Sequence, residues 1–192
     1  MPKQTSNVLF KRIALIGIGL IGSSIARRVK RDGLANHISV TARSQQSLDK
    51  AVKLGIADEI TLNPKDSVND ADLIIICSPV GAYAEIIQNI RSGLKKGAIL
   101  TDVGSVKQTV INDLNPYVPD GVYLVPAHPV AGTEHSGPDA GFPELFEDRW
   151  CIITPTDKTN ARAVDQVKTF WQALGSNIEI MEPKHHDQVM AM

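Results

Sequence analysis

Residues 12–33 read RIALIGIGLIGSSIARRVKRDG. The apolar run Ile13 to Ile16 meets three glycines, Gly17, Gly19 and Gly22. Beyond them Ile25 and Val29 recur at helical spacing until Gly33 closes the segment. A strand that turns through glycine straight into a helix opens a βαβ unit. Such a turn also suits a dinucleotide pyrophosphate, which needs a tight bend, a backbone bare of side chains and helix N-terminal N–H groups aimed at it. Gly17, Gly19 and Gly22 supply these in turn, with Leu20 and Ile21 inside the same loop. The spacing alone is a weak signal; its place after the first strand is the context the chemistry requires.

Outward from this unit the alternation continues. HISVTA precedes QSLDKAVKLG, DLIIIC precedes GAYAEIIQNIRSG, and AILTDV precedes SVKQTVINDL. The runs VYLVPA and CIIT follow, and NIEIM comes after a helix near ARAVDQVKTFWQALG. This is the pattern of an α/β fold with a doubly wound, mostly parallel Rossmann-type sheet and helices on both faces. Gly33, Gly55 and Gly175 each end a helical stretch, where a residue with positive φ is expected. Residues 129–149 are rich in Gly, Pro and acidic side chains and show no clean period, and a loop of that length in a compact domain is more often functional than idle.

Composition narrows the chemistry. Twenty Lys and Arg against twenty-one Asp and Glu leave a formal charge of −1, with 43% hydrophobic and 21% charged residues, in a chain of 192. No overall field steers nucleic acid or an anionic membrane, so neither is an expected partner. No apolar run approaches the roughly 20 residues needed to cross a bilayer, and MPKQTSNVLFKR lacks the apolar centre of a signal peptide, so the expected location is cytoplasmic. Cys77 and Cys151 sit in the apolar runs LIIICSP and RWCIITP as small buried hydrophobes. The Cys and His spacing offers no metal site.

In an open α/β sheet, ligands gather at the carboxyl ends of the strands. The second strand ends near Arg43 and Ser44, where an NAD-preferring site commonly has an acidic residue; a cation and a hydroxyl suit a 2′-phosphate, so the expected cofactor is NADP, with NAD the alternative. Arg43 also reads as a solvated loop charge. CSPVGAY puts Ser78, Pro79 and Val80 on the rim, although Pro79 also simply stops a strand. TDVGSVK adds Ser105 and Lys107; a serine there is otherwise an N-cap, and Asp102 a turn residue. HPVAGTEHSG, residues 128–137, runs from a strand into a loop that holds two histidines, a glutamate and two hydroxyls.

GIGLIGSS, CSPV, TDVGSVK, HPVAGTEHSGPDAG and HHDQVMAM, in this order and spacing, resemble the prephenate/arogenate (cyclohexadienyl) dehydrogenases of tyrosine biosynthesis over essentially the whole chain from Phe10 onward. The resemblance implies oxidative decarboxylation of prephenate or arogenate with hydride transfer to NADP or NAD. It puts His128 in the role of proton acceptor, for which imidazole is suited. It makes Ser105 the serine that hydrogen-bonds the substrate hydroxyl and orients the histidine and the nicotinamide, and places Glu134, His186 and Asp187 close to the substrate, with His185 in the same stretch. On their own the last three read as a polar first turn of a helix, with Asp187 favourable to its dipole. His135 is given no role.

The family continues into an SHLPH-like segment and a helical dimerisation domain that contributes a carboxylate-clamping arginine. The expected organisation is therefore a flexible N-terminus at 1–9, a dinucleotide-binding domain with the catalytic loops at 10–182, and at 183–192 the start of a helical domain, opened by Val189, Met190 and Met192. From the ending at Met192 follows the expectation of a truncated chain that binds nucleotide without turnover, and of a homodimer for the full-length protein. Two rival readings stand beside this one: a reductase of the β-hydroxyacid dehydrogenase type, which relies on a lysine in its helical portion, and a cofactor-binding fragment without catalysis.

Overall fold

The computed structural model describes residues 7–191. The first six residues of the expected flexible N-terminus and Met192 lie outside them. In chain order the elements are β1 (Phe10–Ile16), α1 (Leu20–Asp32), β2 (Ala35–Thr41), α2 (Gln45–Lys53), β3 (Glu59–Thr61), α3 (Pro64–Ser67), β4 (Leu73–Ile76), α4 (Tyr83–Ile90), β5 (Ile99–Asp102), α5 (Lys107–Leu114), β6 (Tyr123–Leu124), β7 (Ala127–Pro129), β8 (Trp150–Ile153), α6 (Ala161–Ala173), β9 (Asn177–Ile180) and α7 (Pro183–Met190).

The main sheet has six parallel strands in the order β3-β2-β1-β4-β5-β6. Successive side chains leave a strand on opposite faces, so both faces of the buried strands must be apolar. Ile13 and Leu15 of β1 accordingly join a core with Ile25, Val29, Phe146 and Trp171, while Ala14 and Ile16 join the opposite core with Ile74, Tyr83 and Ile87. Strand order reverses between β1 and β4, and the crevice at their carboxyl ends is where this architecture receives ligands. Gly33, Gly55 and Gly175 hold φ of 65°, 65° and 101°, as their helix-closing positions predict.

Three features differ from the sequence pattern. β3 has three half-buried residues, too few to show a period. VYLVPA splits at Pro126, which lacks an N–H and cannot carry a ladder onward: β6 closes the first sheet, and β7 begins a second, three-stranded sheet in the order β7-β8-β9, antiparallel at β7–β8 and parallel at β8–β9. The 130–149 loop is strapped across α1 and α2. Phe142 N donates to Ser24 Oγ at 3.1 Å, Glu147 and Glu144 pair with Arg28 and Arg31 at 2.5 Å each, and Asp139 pairs with Lys50. Among the described residues no helix is long and apolar enough to cross a membrane.

Candidate active site

The glycine loop forms as its composition dictates. Gly17 takes φ 106°, and a Cβ there would lie 2.8 Å from the Cys77 carbonyl oxygen; one on Gly22 would lie 2.3 Å from the Gly17 carbonyl oxygen. Only glycine lets β1, the loop and α1 approach this closely. Gly19 is different, because nothing lies within 4 Å of where its Cβ would be, so its backbone is open to a ligand. Gly19 is also the N-cap of α1, with no side chain capping it and no acidic residue in the first turn. The first amides of α1, including those of Leu20 and Ile21, thus keep their donors and the positive end of the helix dipole for an anion. These residues fit a dinucleotide pyrophosphate.

The open face at Gly19 and the crowding at Gly22 separate two effects. Gly19→Ala is expected to leave Tm unchanged while weakening NAD(P) binding, because the methyl group occupies the ligand's approach. Gly22→Ala is expected to lose about 1–3 kcal/mol of stability as α1 shifts, and affinity with it. Calorimetric titration beside thermal melts checks both; wild-type affinity in Gly19→Ala would show that no ligand backbone passes there.

The rest of the rim is contiguous with this loop. Ser78 Oγ donates to Ile16 O at 3.0 Å, Pro79 is exposed, and Val80 packs where a side chain on Gly104 would have to sit. Arg43 is exposed, and Ser44 caps α2, its Oγ accepting from Ser47 N at 3.3 Å. The Ser44 hydroxyl is therefore engaged by the helix, leaving the Arg43 guanidinium as the available cation at this position.

Beyond Gly104 the structure corrects three readings. Asp102 is a fully buried member of an ion pair, not a turn residue. Lys107 Nζ donates to its Oδ2 at 2.7 Å and to Ala127 O at 2.7 Å, and the Asp102 carboxylate also accepts from Gly104 N at 2.7 Å and Ala127 N at 3.2 Å. Burial pulls the Lys107 ammonium below the ordinary lysine value against the pull of Asp102. Ser105 is exposed and does not cap α5, whose N-cap is Val106. The cap comes from 80 residues away: the Asp187 carboxylate accepts from Lys107 N at 2.7 Å and from Gln108 N at 2.9 Å. Asp187 therefore serves the amino terminus of α5, not that of its own helix.

His128 is 8% exposed on β7. Its Nδ1 lies 2.9 Å from His186 Nε2, and His186 Nδ1 lies 2.8 Å from Asp187 Oδ1. The two imidazoles meet edge to face at 72°. Burial, then the Lys107 charge and His186, bring the pKa of His128 down to about 4, so its imidazole is neutral at neutral pH. Burial acts to raise the Asp187 carboxyl, but the Gln108 N–H, the His186 ring and the Lys107 N–H outweigh it and hold the group below the usual carboxylate range. His128, together with Pro129, Val130, Ala131, Gly132 and Arg149, lines an open pocket.

The remaining candidates are dispersed. Glu134 and His135 face solvent and pair with each other at 3.4 Å, and His185 is exposed beside the fully buried His186. Burial pushes the thiols of Cys77 and Cys151 up, away from the thiolate form. The pairing of Asp102 with Lys107 escapes sequence reasoning; an acidic residue closing an apolar strand five positions before a lysine is its only local trace.

Comparison with known proteins adds the following. Residues 25–180 match the family described as prephenate dehydrogenase, nucleotide-binding domain. The cyclohexadienyl dehydrogenase of Zymomonas mobilis is 42% identical over 96% of this chain, and the prephenate dehydrogenase of Bacillus subtilis 33% identical over 97%. The chain spans 62% and 50% of the length of these two relatives. A crystal structure of prephenate dehydrogenase from A. aeolicus, in complex with hydroxyphenyl propionate and NAD+, superposes with a TM-score of 0.88 at 34% identity, covering 95% of this chain and 63% of that one.

Proposed function

Because the chain belongs to the prephenate dehydrogenase family, whose nucleotide-binding domain it matches, we propose that it provides the hydride-transfer half of an NAD(P)-dependent enzyme that oxidatively decarboxylates prephenate or arogenate. The observation that carries this reading is a buried, neutral imidazole, His128, next to Ala127, which the Asp102–Lys107 pair at the end of β5 holds, in a chain whose glycine loop leaves a helix terminus uncapped. Bound NAD(P) supplies the hydride acceptor. Gly17, Gly19, Leu20, Ile21 and Gly22 would hold its pyrophosphate, and Ser78, Pro79 and Val80 would border it.

The proton chemistry falls to the protein. As the hydride leaves the ring carbon that bears the hydroxyl, His128 accepts the hydroxyl proton, the ring carboxylate departs as CO2, and the electrons of the broken C–C bond complete the aromatic ring. A base must hold a free lone pair at working pH, and the lowered pKa of His128 ensures that it does. In this reading exposed Ser105 meets the substrate hydroxyl, and exposed Glu134, paired with His135, lies close to the substrate when it binds. Val189 and Met190, both exposed on α7, support association with a second copy through that face. The direct test is reduced-cofactor absorbance with prephenate and with arogenate; no reduction of either cofactor with either substrate, in a protein that contains this chain and its family's helical continuation, would refute the assignment.

The same proposal extends to cofactor choice. Arg43 favours NADP, through a charge-assisted contact with the 2′-phosphate worth about 1–2 kcal/mol at a partly exposed site. Titration of the 192-residue chain with each cofactor is expected to show tighter NADP binding, and Arg43→Ala to abolish the difference. Equal affinities in the unaltered protein would assign Arg43 to solvent.

A further inference from the structure

The tautomer of His128 is set from outside its own strand. Asp187 is held as a carboxylate by the first two amides of α5, Lys107 N and Gln108 N, and it faces His186 Nδ1 at 2.8 Å. A carboxylate only accepts hydrogen bonds, so His186 must carry its proton on Nδ1 and present a lone pair at Nε2. That lone pair faces His128 Nδ1 at 2.9 Å, which must then be the donor. The two imidazoles in series transmit a single choice, and the lone pair of His128 ends on Nε2.

We propose that His186 and Asp187 are positioning residues that lock His128 as the Nδ1–H tautomer and so make Nε2 its proton-accepting atom. The assignment deepens the dehydrogenase reading and rests on it only for what Nε2 accepts; the tautomer itself follows from hydrogen-bond geometry. The charged and titratable groups around His128 are few. Among the described residues they are Lys107 on α5, paired with Asp102 of β5; His186 and Asp187 on α7; Cys151 of β8, whose pKa burial raises; and Arg149, a donor that lines the same open pocket. None of the others supplies a competing acceptor to Nδ1. The arrangement also means that the base on β7 is oriented by a helix 58 residues further along the chain. When His128 becomes charged, its Nδ1–H already points down a path that ends at a carboxylate, which favours the imidazolium as it forms.

The experiment is long-range proton–nitrogen NMR on the 192-residue chain labelled with nitrogen-15 in histidine, at pH 7. His128 and His186 are expected to show protonated Nδ1 and bare Nε2. In Asp187→Asn, His186 loses its fixed acceptor and both rings are expected to become tautomer mixtures; Asp187→Glu should restore the wild-type pattern, which a merely structural role for the helix would not predict. His186→Phe keeps the ring volume but removes the acceptor, and His128 should again become a mixture. If either variant fails to fold, judged by its backbone spectrum, the other carries the test. A wild-type His128 protonated on Nε2, or one whose tautomer survives the variants that fold, overturns the proposal. Cofactor titration and turnover are separate readouts: in a form that turns over, Asp187→Asn should lower kcat by about 10–100-fold with little change in KM. Absence of all dehydrogenase activity in a protein that also carries the family's helical continuation, alongside the expected tautomers, would refute the functional reading while leaving the relay intact.

Discussion

Replacing Lys107 by methionine is expected to destabilise the protein by about 3–5 kcal/mol, a fall in Tm of about 10 °C for a chain of this size. The reason is the partner left behind. Asp102 is fully buried, and among the described residues Lys107 Nζ is its only cationic contact. The attraction within a buried pair roughly offsets the cost of taking both charges out of water, so the intact pair adds little to stability, but a lone buried carboxylate pays the whole desolvation cost. The sign is checked by a second substitution. Asp102→Asn placed on Lys107→Met removes the stranded charge while keeping one acceptor oxygen for Gly104 N or Ala127 N, and it should recover part of the loss. Chemical denaturation of the two single variants and the double variant measures this; a Lys107→Met protein as stable as the wild type would show that water reaches Asp102.

The second large effect concerns rate. In a protein that carries this chain and turns over prephenate or arogenate, His128→Asn is expected to lower kcat by about 10²–10⁴-fold while leaving the cofactor Kd unchanged. Asparagine approximates the reach of imidazole but accepts no proton at neutral pH. Ser105→Ala should lose less, since it removes an orienting hydroxyl and leaves the base. The pH dependence has a definite direction. His128 is active when unprotonated and its pKa lies near 4, so activity should persist as pH falls through the ordinary histidine range and decline only toward pH 4. A His128→Asn protein with near-normal kcat on both substrates would remove the residue from the mechanism.

Both predictions turn on burial, the property least visible in a linear chain. The glycine loop is legible because all its parts lie within six residues, and its context is a strand and a helix that reveal themselves by period. His128 stands out through its neighbours in HPVAGTE and their resemblance to a family. Asp102 and Lys107 are also close in sequence, yet as letters they read as a turn acid and a rim lysine. What changes their meaning is Ala127, 25 positions beyond Asp102, whose backbone shuts them from water. Ser105 reads as an N-cap because serine so often is one, and no local signal says that a carboxylate 80 residues on takes that place. The break at Pro126 is visible as a residue but not as a change of sheet, because the strand that continues beyond it finds its partner only at residues 151–153.

That change of sheet has a consequence for the timing of the proposed reaction. The glycine loop belongs to one sheet and His128 to another, so the proposed acceptors of hydride and proton are mounted on separate plates. Where the plates meet, the Asp102 carboxylate at the end of β5 and the Lys107 ammonium together grip both the N–H and the C=O of Ala127, the residue before His128. Play between the plates would shift one reacting group against the other, and misplacement on the scale of 1 Å can cost about 100-fold in rate. The buried charges thus act as a dowel between two halves of a jig: they fix a distance that neither sheet, however rigid in itself, could define alone.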